Sequence, residues 1–240
     1  DQALSSISFK RCCKAPLPFG GGAFCVIVAV YVIDARGRGH DSMKTLYLMR
    51  HGQTEFNVQK IVQGQCDSPL TTAGKDQARE AALNLAQCGV CPDRIAASPL
   101  GRAYRTCVLV RDVLRESLGV ALPEVETCQD LEERNYGSFE RGPMSEVPAD
   151  VWNPGEELVP YGGEGSAALR ARIVDAIRNL MAPDDVGTLL AVSHGSAVLQ
   201  FYLAAERPGE SEPRRKLPNC CVLKFSYDES ASTFTLLEVL

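Results

Sequence analysis

The stretch Leu46-Tyr47-Leu48-Met49-Arg50-His51-Gly52-Gln53-Thr54 decides how the rest of the chain is read. Four apolar residues in succession have the length and composition of a buried strand, and an arginine, a histidine and a glycine cut it off. A strand that ends this way carries a cation and an imidazole at its carboxyl edge, where ligands sit in open α/β sheets. Gly52 permits a turn there, or close approach of the backbone to a ligand.

Working outward from that strand (residues 44–49), apolar periods of two and of 3.6 residues alternate along the chain. Residues 54–69 are polar, contain Gly64 and Pro69, and read as a loop over the strand end. Thr71 or Thr72 caps a helix reaching about Cys88, with Ala78, Ala82 and Leu85 on one face. A second strand spans 94–97. Ser98-Pro99 then reads as an N-cap followed by proline at the first helical position, opening a helix to about Leu118 with Val110, Val113 and Leu114 inward. Residues 124–131 suit a third, edge strand. Residues 134–163 are rich in glycine, proline and charge and show no period. Glu164 or Ser166 starts a helix to about Met181, with Leu169, Ile173, Ile177 and Leu180 at helical spacing. An apolar strand at 188–193 leads into a helix at 195–204. Beyond a loop at 205–218, strands at 220–226 and 233–239 form a hairpin across the 228–232 turn. This order predicts a three-layer α/β/α sandwich with a mostly parallel central sheet and an antiparallel edge strand.

Composition narrows the function. A chain of 240 residues with 45% hydrophobic content buries one sizeable core. A net charge of −5 supplies no basic excess for neutralising nucleic-acid phosphates, though a small phosphorylated ligand needs only a local cluster of cations. The 10 cysteines do not form a disulfide scaffold, because such scaffolds are short and loop-rich. Cys88 and Cys91 have metal or redox spacing, but no second pair or histidine accompanies them, and the site reads as a helix end. Cys107 lies on an apolar helical stripe and Cys220-Cys221 opens a strand, so these are small buried hydrophobes and reduced, cytoplasmic thiols. Residues 1–42 differ in character from the rest of the chain. Lys10, Arg11 and Lys14 precede an apolar run from Ala23 to Ile33, as in a secretory signal, but the run is too short to span a bilayer and its flank is a poor cleavage site. Met43 reads as the natural start, with 1–42 a non-native or disordered leader and 43–240 the domain.

Three predicted strands end in chemically loaded turns: Arg50-His51-Gly52, Ser98 to Arg102, and Ser193-His194-Gly195. Parallel strands put these turns at one crevice. Two of the chain's 3 histidines sit there, each followed by glycine, which a structural role does not explain for both. Arg102 falls in the first turn of a helix, where free N–H groups favour an anion. A phosphoryl group would meet Arg50, Arg102 and His51, and an imidazole can attack phosphorus to form a covalent intermediate. The departing alkoxide then needs an acid, which either Glu132 or Glu133 could provide; local reasoning leaves that choice open.

The ordered set Arg50-His51-Gly52, Ser98-Pro99-Leu100-Gly101-Arg102-Ala103, Glu132-Glu133-Arg134-Asn135-Tyr136-Gly137 and Ser193-His194-Gly195 resembles the histidine phosphatase superfamily, which contains the phosphoglycerate mutases and fructose-2,6-bisphosphatases. The resemblance covers nearly everything after Met43. It implies that His51 is a phosphohistidine nucleophile and that Arg50, Arg102, His194 and Asn57 hold the phosphoryl group. It further implies that Glu133 donates the proton, and that Gln63, Gly64 and Gly195 face the substrate. Gly163-Glu164 resembles a Gly-Glu-Ser element, but Gly165 intervenes before Ser166, and Glu164 is given no role. No metal or cofactor is implied.

Glu133 and His194 are 61 positions apart, compact for this superfamily, and the short spacing resembles its phosphatase-type branch more than the mutases. The expected activity is therefore metal-independent hydrolysis of small phosphomonoesters by a monomer or homodimer, without nucleic-acid or membrane partners. A phosphoglycerate mutase and a catalytically silent phospho-ligand module are the alternatives. Residues 134–163 should face the organic group of the substrate, with Arg134, Tyr136, Arg141 and Trp152 as candidate contacts, although Trp152 also suits a loop anchor. Neither a Gly-x-Ser-x-Gly elbow nor a P-loop is present.

Overall fold

The computed structural model describes residues 43–209 and 216–240; the expectation for residues 1–42 lies outside them. Six strands, β1 (Met43–Arg50), β2 (Arg94–Ala97), β3 (Val125–Thr127), β4 (Thr188–Ser193), β5 (Val222–Asp228) and β6 (Thr233–Val239), form one sheet in the order β3-β2-β4-β1-β5-β6. The first four in that order run parallel, and β5 and β6 add an antiparallel hairpin beside β1.

The central strands are apolar on both faces because both are covered. Along β1 and β4, Tyr47, Met49, Leu190 and Val192 pack under helices α2 (Thr72–Gln87) and α3 (Gly101–Leu118). Leu46, Leu48, Leu189 and Ala191 face α4 (Ser166–Met181) and α5 (Gly195–Ala204) instead. The predicted three-layer arrangement is the observed one.

Four local expectations are corrected. The loop at 54–69 contains a short helix, α1 (Glu55–Gln59), closed by a capping box between Thr54 and Asn57 and ended by left-handed Lys60. Ser98-Pro99 does not cap α3. That helix starts at Gly101, its N-cap Leu100 makes no side-chain bond, and the Arg102 N–H is taken by Asp67 Oδ1 at 3.1 Å. The third strand shrinks to three residues before a 3₁₀ turn at Gln129–Leu131. The fifth starts at Val222, because Cys220 holds a left-handed φ of 59° that no strand accepts. The region without a period is built from single 3₁₀ turns, Gly137–Phe139, Met144–Glu146 and Val159–Tyr161.

Candidate active site

Strand register assembles the crevice. Arg50 pairs with Ser193 across β1 and β4, and Ala97 pairs with Val192 across β2 and β4, so three strands end level. The ladder continues into the turns: His51 N–H donates to Ser193 O (2.9 Å) and Ser98 N–H to Val192 O (3.0 Å). His51, Ser98 and His194 thus meet at one edge, as the pattern of strand ends predicts.

Gly52 is needed for a close approach, though to the protein's own backbone rather than to a ligand. A Cβ on it would collide with the carbonyl oxygen of Gly74 in the first turn of α2, and a Cβ on Gly74 would collide with Gln53. The Gly52 N–H donates to Thr106 Oγ1 (3.1 Å), whose hydroxyl donates to Arg102 O (2.7 Å).

The His51 ring is 2% exposed, and its Nδ1 lies 2.7 Å from Gly52 O. A carbonyl only accepts, so Nδ1 carries the proton and Nε2 keeps its lone pair. Burial pushes the His51 pKa well below that of free imidazole, helped by the charges of Arg102 and Arg50. The ring is therefore neutral at pH 7, the form a nucleophile requires. His194 lies behind it, fully buried, with ring centroids 5.2 Å apart and Nε2 2.8 Å from Ser98 Oγ. Its pKa is also held well down, by burial first and then by Arg102, the neighbouring His51 ring and Arg50.

Both arginines are anchored by backbone carbonyls. Arg102 is completely buried and donates to Cys66 O (2.7 Å), Gly64 O (2.7 Å) and Asp67 Oδ1 (3.3 Å). Arg50 donates to Leu217 O (2.6 Å) and lies 4.7 Å over the Trp152 ring; burial lowers its pKa to about 10, so it stays charged. Among the described residues, five buried side-chain nitrogens have no partner, and three belong to this cluster: Arg50 Nε, Arg102 Nε and His194 Nδ1. Unpaired buried donors are costly and rare, so their concentration here marks where an acceptor-rich anion fits.

The two candidate acids separate. Glu133 lines the crevice and its carboxyl accepts from Arg134 N (2.8 Å), Ala197 N (3.1 Å) and Ser196 N (3.1 Å), capping α5 from a distant loop. Glu132 does not line it. The crevice is open at its mouth and has a cavity volume of about 50 Å³. Asn57, Gln63, Gly64 and Gly195 line it too, whereas His194, packed against the His51 ring, does not. The Asn57 Oδ1 is spent on the α1 cap and on Asn219. Arg134 turns away, fully buried and donating to Glu164 O (2.7 Å), and Glu164 pairs with Arg172 (2.7 Å). Arg141 is exposed and does not line the crevice; Tyr136 and Trp152 do.

Sequence reasoning missed the supports. Asp67 holds Arg102, and Asn219 Nδ2 donates to His51 O (3.0 Å). Glu140 ties Gln65 N–H and Cys66 N–H to Tyr136 N–H. None has a local signature, because each acts across a loop. Among the described residues, no group of three or more His, Cys, Asp or Glu side chains is placed to hold a metal ion, and no helix is long and apolar enough to cross a membrane.

A family model described as histidine phosphatase superfamily (branch 1) matches residues 46–239, which include all three converging turns. The chain belongs to the histidine phosphatase superfamily. One relative, "Probable phosphoglycerate mutase GpmB" of Proteus mirabilis, is 30% identical over 199 residues, covering 78% of this chain and 87% of that protein. Among solved structures, the mycobacterial glucosyl-3-phosphoglycerate phosphatase in complex with VO3 is 26% identical with a TM-score of 0.60, over 81% of this chain and 96% of that one. The phosphoglycerate mutase from Bacillus anthracis, 24% identical with a TM-score of 0.66 over 82% of this chain and 92% of that one, shares the fold. This superfamily member thus has both phosphatases and phosphoglycerate mutases among its likenesses.

Proposed function

We propose that this superfamily member is a metal-independent phosphatase that hydrolyses small phosphomonoesters through a phosphohistidine on His51. One observation carries the reading: a neutral imidazole with a free Nε2 sits beside unpaired Nε–H donors of two buried arginines. The Nε2 lone pair attacks phosphorus and the ester P–O bond breaks. The alkoxide takes a proton from the Glu133 carboxyl, and the charge on the equatorial oxygens is met by Arg50, Arg102 and His194. In the second half Glu133 takes a proton from water, the water oxygen attacks phosphorus, the N–P bond breaks and inorganic phosphate leaves. Asn57, whose amide nitrogen is not used by the α1 cap, adds a donor at the same anion. Gln63, Gly64 and Gly195 border the leaving group.

The GpmB relative favours a second reading, in which phosphate returns to a glycerate rather than to water. One assay separates the two. With chelator present, the protein is given a panel of phosphomonoesters, including 3-phosphoglycerate with and without 2,3-bisphosphoglycerate. Free phosphate without isomerisation is the expected result, and primer-dependent 2-phosphoglycerate would establish the mutase. Quenching during turnover should trap acid-labile, base-stable phosphate on the wild type and none on His51→Ala. Normal turnover by a folded His51→Ala protein would refute the nucleophile assignment.

A further inference from the structure

The mouth of the crevice differs in character from its floor. Among the described residues, Arg50, Arg102 and Glu133 are the charged side chains that line it, and all three belong to the phosphoryl end. The two guanidinium groups are tied to the carbonyls of Leu217, Cys66 and Gly64, and Glu133 is held by three backbone N–H groups. The outer wall is made by Val62, Tyr136, Met144, Val151 and Trp152. The Tyr136 hydroxyl is occupied, lying 2.6 Å from Val151 O and 2.8 Å from Ser196 Oγ, so the residue offers its ring. Trp152 is the fixed part of this wall. Its ring is backed by Arg50 at 4.7 Å, and a Cβ on Gly195 would come within 2.7 Å of it, so glycine there lets the indole approach the start of α5 closely.

A carboxylate carried on the leaving group would lose water at this mouth and, with Arg50 and Arg102 committed to the phosphoryl group, find no further cation among the described residues that line the crevice. An apolar group would exchange water for indole and aliphatic surface. We infer that the site selects phosphomonoesters whose alcohol is uncharged and apolar, of aryl-alkyl or branched-alkyl type, over phosphoglycerates, and that Trp152 is the residue that sets this preference. The inference rests on the phosphatase reading and specifies its substrate class.

The test compares kcat/KM of the full chain for benzyl phosphate, glycerol 3-phosphate and 3-phosphoglycerate. All three are alkyl esters, so the comparison is not dominated by an acidic phenol leaving group. Benzyl phosphate should exceed 3-phosphoglycerate by about tenfold or more, the factor that 1.4 kcal/mol represents, with glycerol 3-phosphate between them. Trp152→Ala should collapse the ratio of benzyl phosphate to glycerol 3-phosphate, and Trp152→Phe should keep most of it. Met144→Lys, which places a cation on the partly exposed wall, should raise turnover of 3-phosphoglycerate relative to benzyl phosphate. Faster phosphate release from 3-phosphoglycerate than from benzyl phosphate in the wild type, or an unchanged ratio in Trp152→Ala, would overturn the inference and leave the phosphatase intact. No phosphate from any ester would overturn both.

Discussion

The floor and the wall of the crevice are built by opposite means. The floor is charged, dry and fixed by main chain: its histidines follow paired strand ends, and its arginines are held by carbonyls. The wall is apolar and made from single 3₁₀ turns around a four-residue cluster of Val62, Tyr136, Val147 and Leu158, separate from the two main cores. On the proposed phosphatase reading, chemistry that must position charge to within a fraction of an ångström sits on the rigid element, and the surface that meets the alcohol sits on irregular chain. The two parts meet where Trp152 packs on Arg50.

The sharpest attack on that division removes the floor. His51→Ala should lower phosphate release by at least about a thousandfold while circular dichroism and the melting profile show a folded domain. Arg102→Ala is expected to strike both activity and stability, because it leaves the carbonyls of Cys66 and Gly64 without this donor. A loss of about a hundredfold in kcat/KM and about 3 kcal/mol in denaturant titration is expected. Arg102→Lys should restore little, since an ammonium cannot span that fork. Glu133→Gln should slow ester cleavage by about a hundredfold, and Glu132→Gln by no more than about threefold. The reverse order would move the acid to Glu132.

Smaller effects probe how dry the floor is. The folded pKa values of His51 and His194 lie below that of free imidazole, so in that window the unfolded chain binds more protons and stability rises with pH. Their contribution is complete above the unfolded value of about 6.5 and is lost as pH falls below it, by up to about 1.4 kcal/mol per pH unit for each ring. Urea titrations at pH 7, 6 and 5 should show this slope, and a His51→Asn, His194→Asn double variant should flatten it; an equal slope in both would show that water reaches the rings. The smallest effect belongs to the wall. Val147→Ala should cost about 1 kcal/mol, with hydrogen exchange rising across residues 136–161 while β1 and β4 stay protected.

The same division governs what is legible in the chain alone. The strand ends are legible because apolar runs stop at Arg50, Ala97 and Ser193, and parallel pairing leaves little freedom in where those ends meet. The wall is not, since single turns have no period, and the packing of Trp152 on Arg50 and Gly195 is a tertiary event. The start of α3 misleads for a related reason. Ser98-Pro99 is a sound local cap signal, but Ser98 is drawn to His194 and the helix takes its acceptor from Asp67, 35 residues earlier. The Glu133 carboxyl caps α5 in the same non-local way from 63 residues upstream, counted to Ser196. Spacing cannot choose between Glu132 and Glu133, but burial separates them, with Glu133 in the crevice.

The contact of Gly52 with Gly74 has a mechanical consequence. At that contact itself neither residue has a side chain that could change rotamer and absorb a displacement. The imidazole therefore inherits the stiffness of two main chains seated on each other, and its positional tolerance is smaller than a methyl group. A shift of α2 along the sheet would reach the His51 ring through that seat.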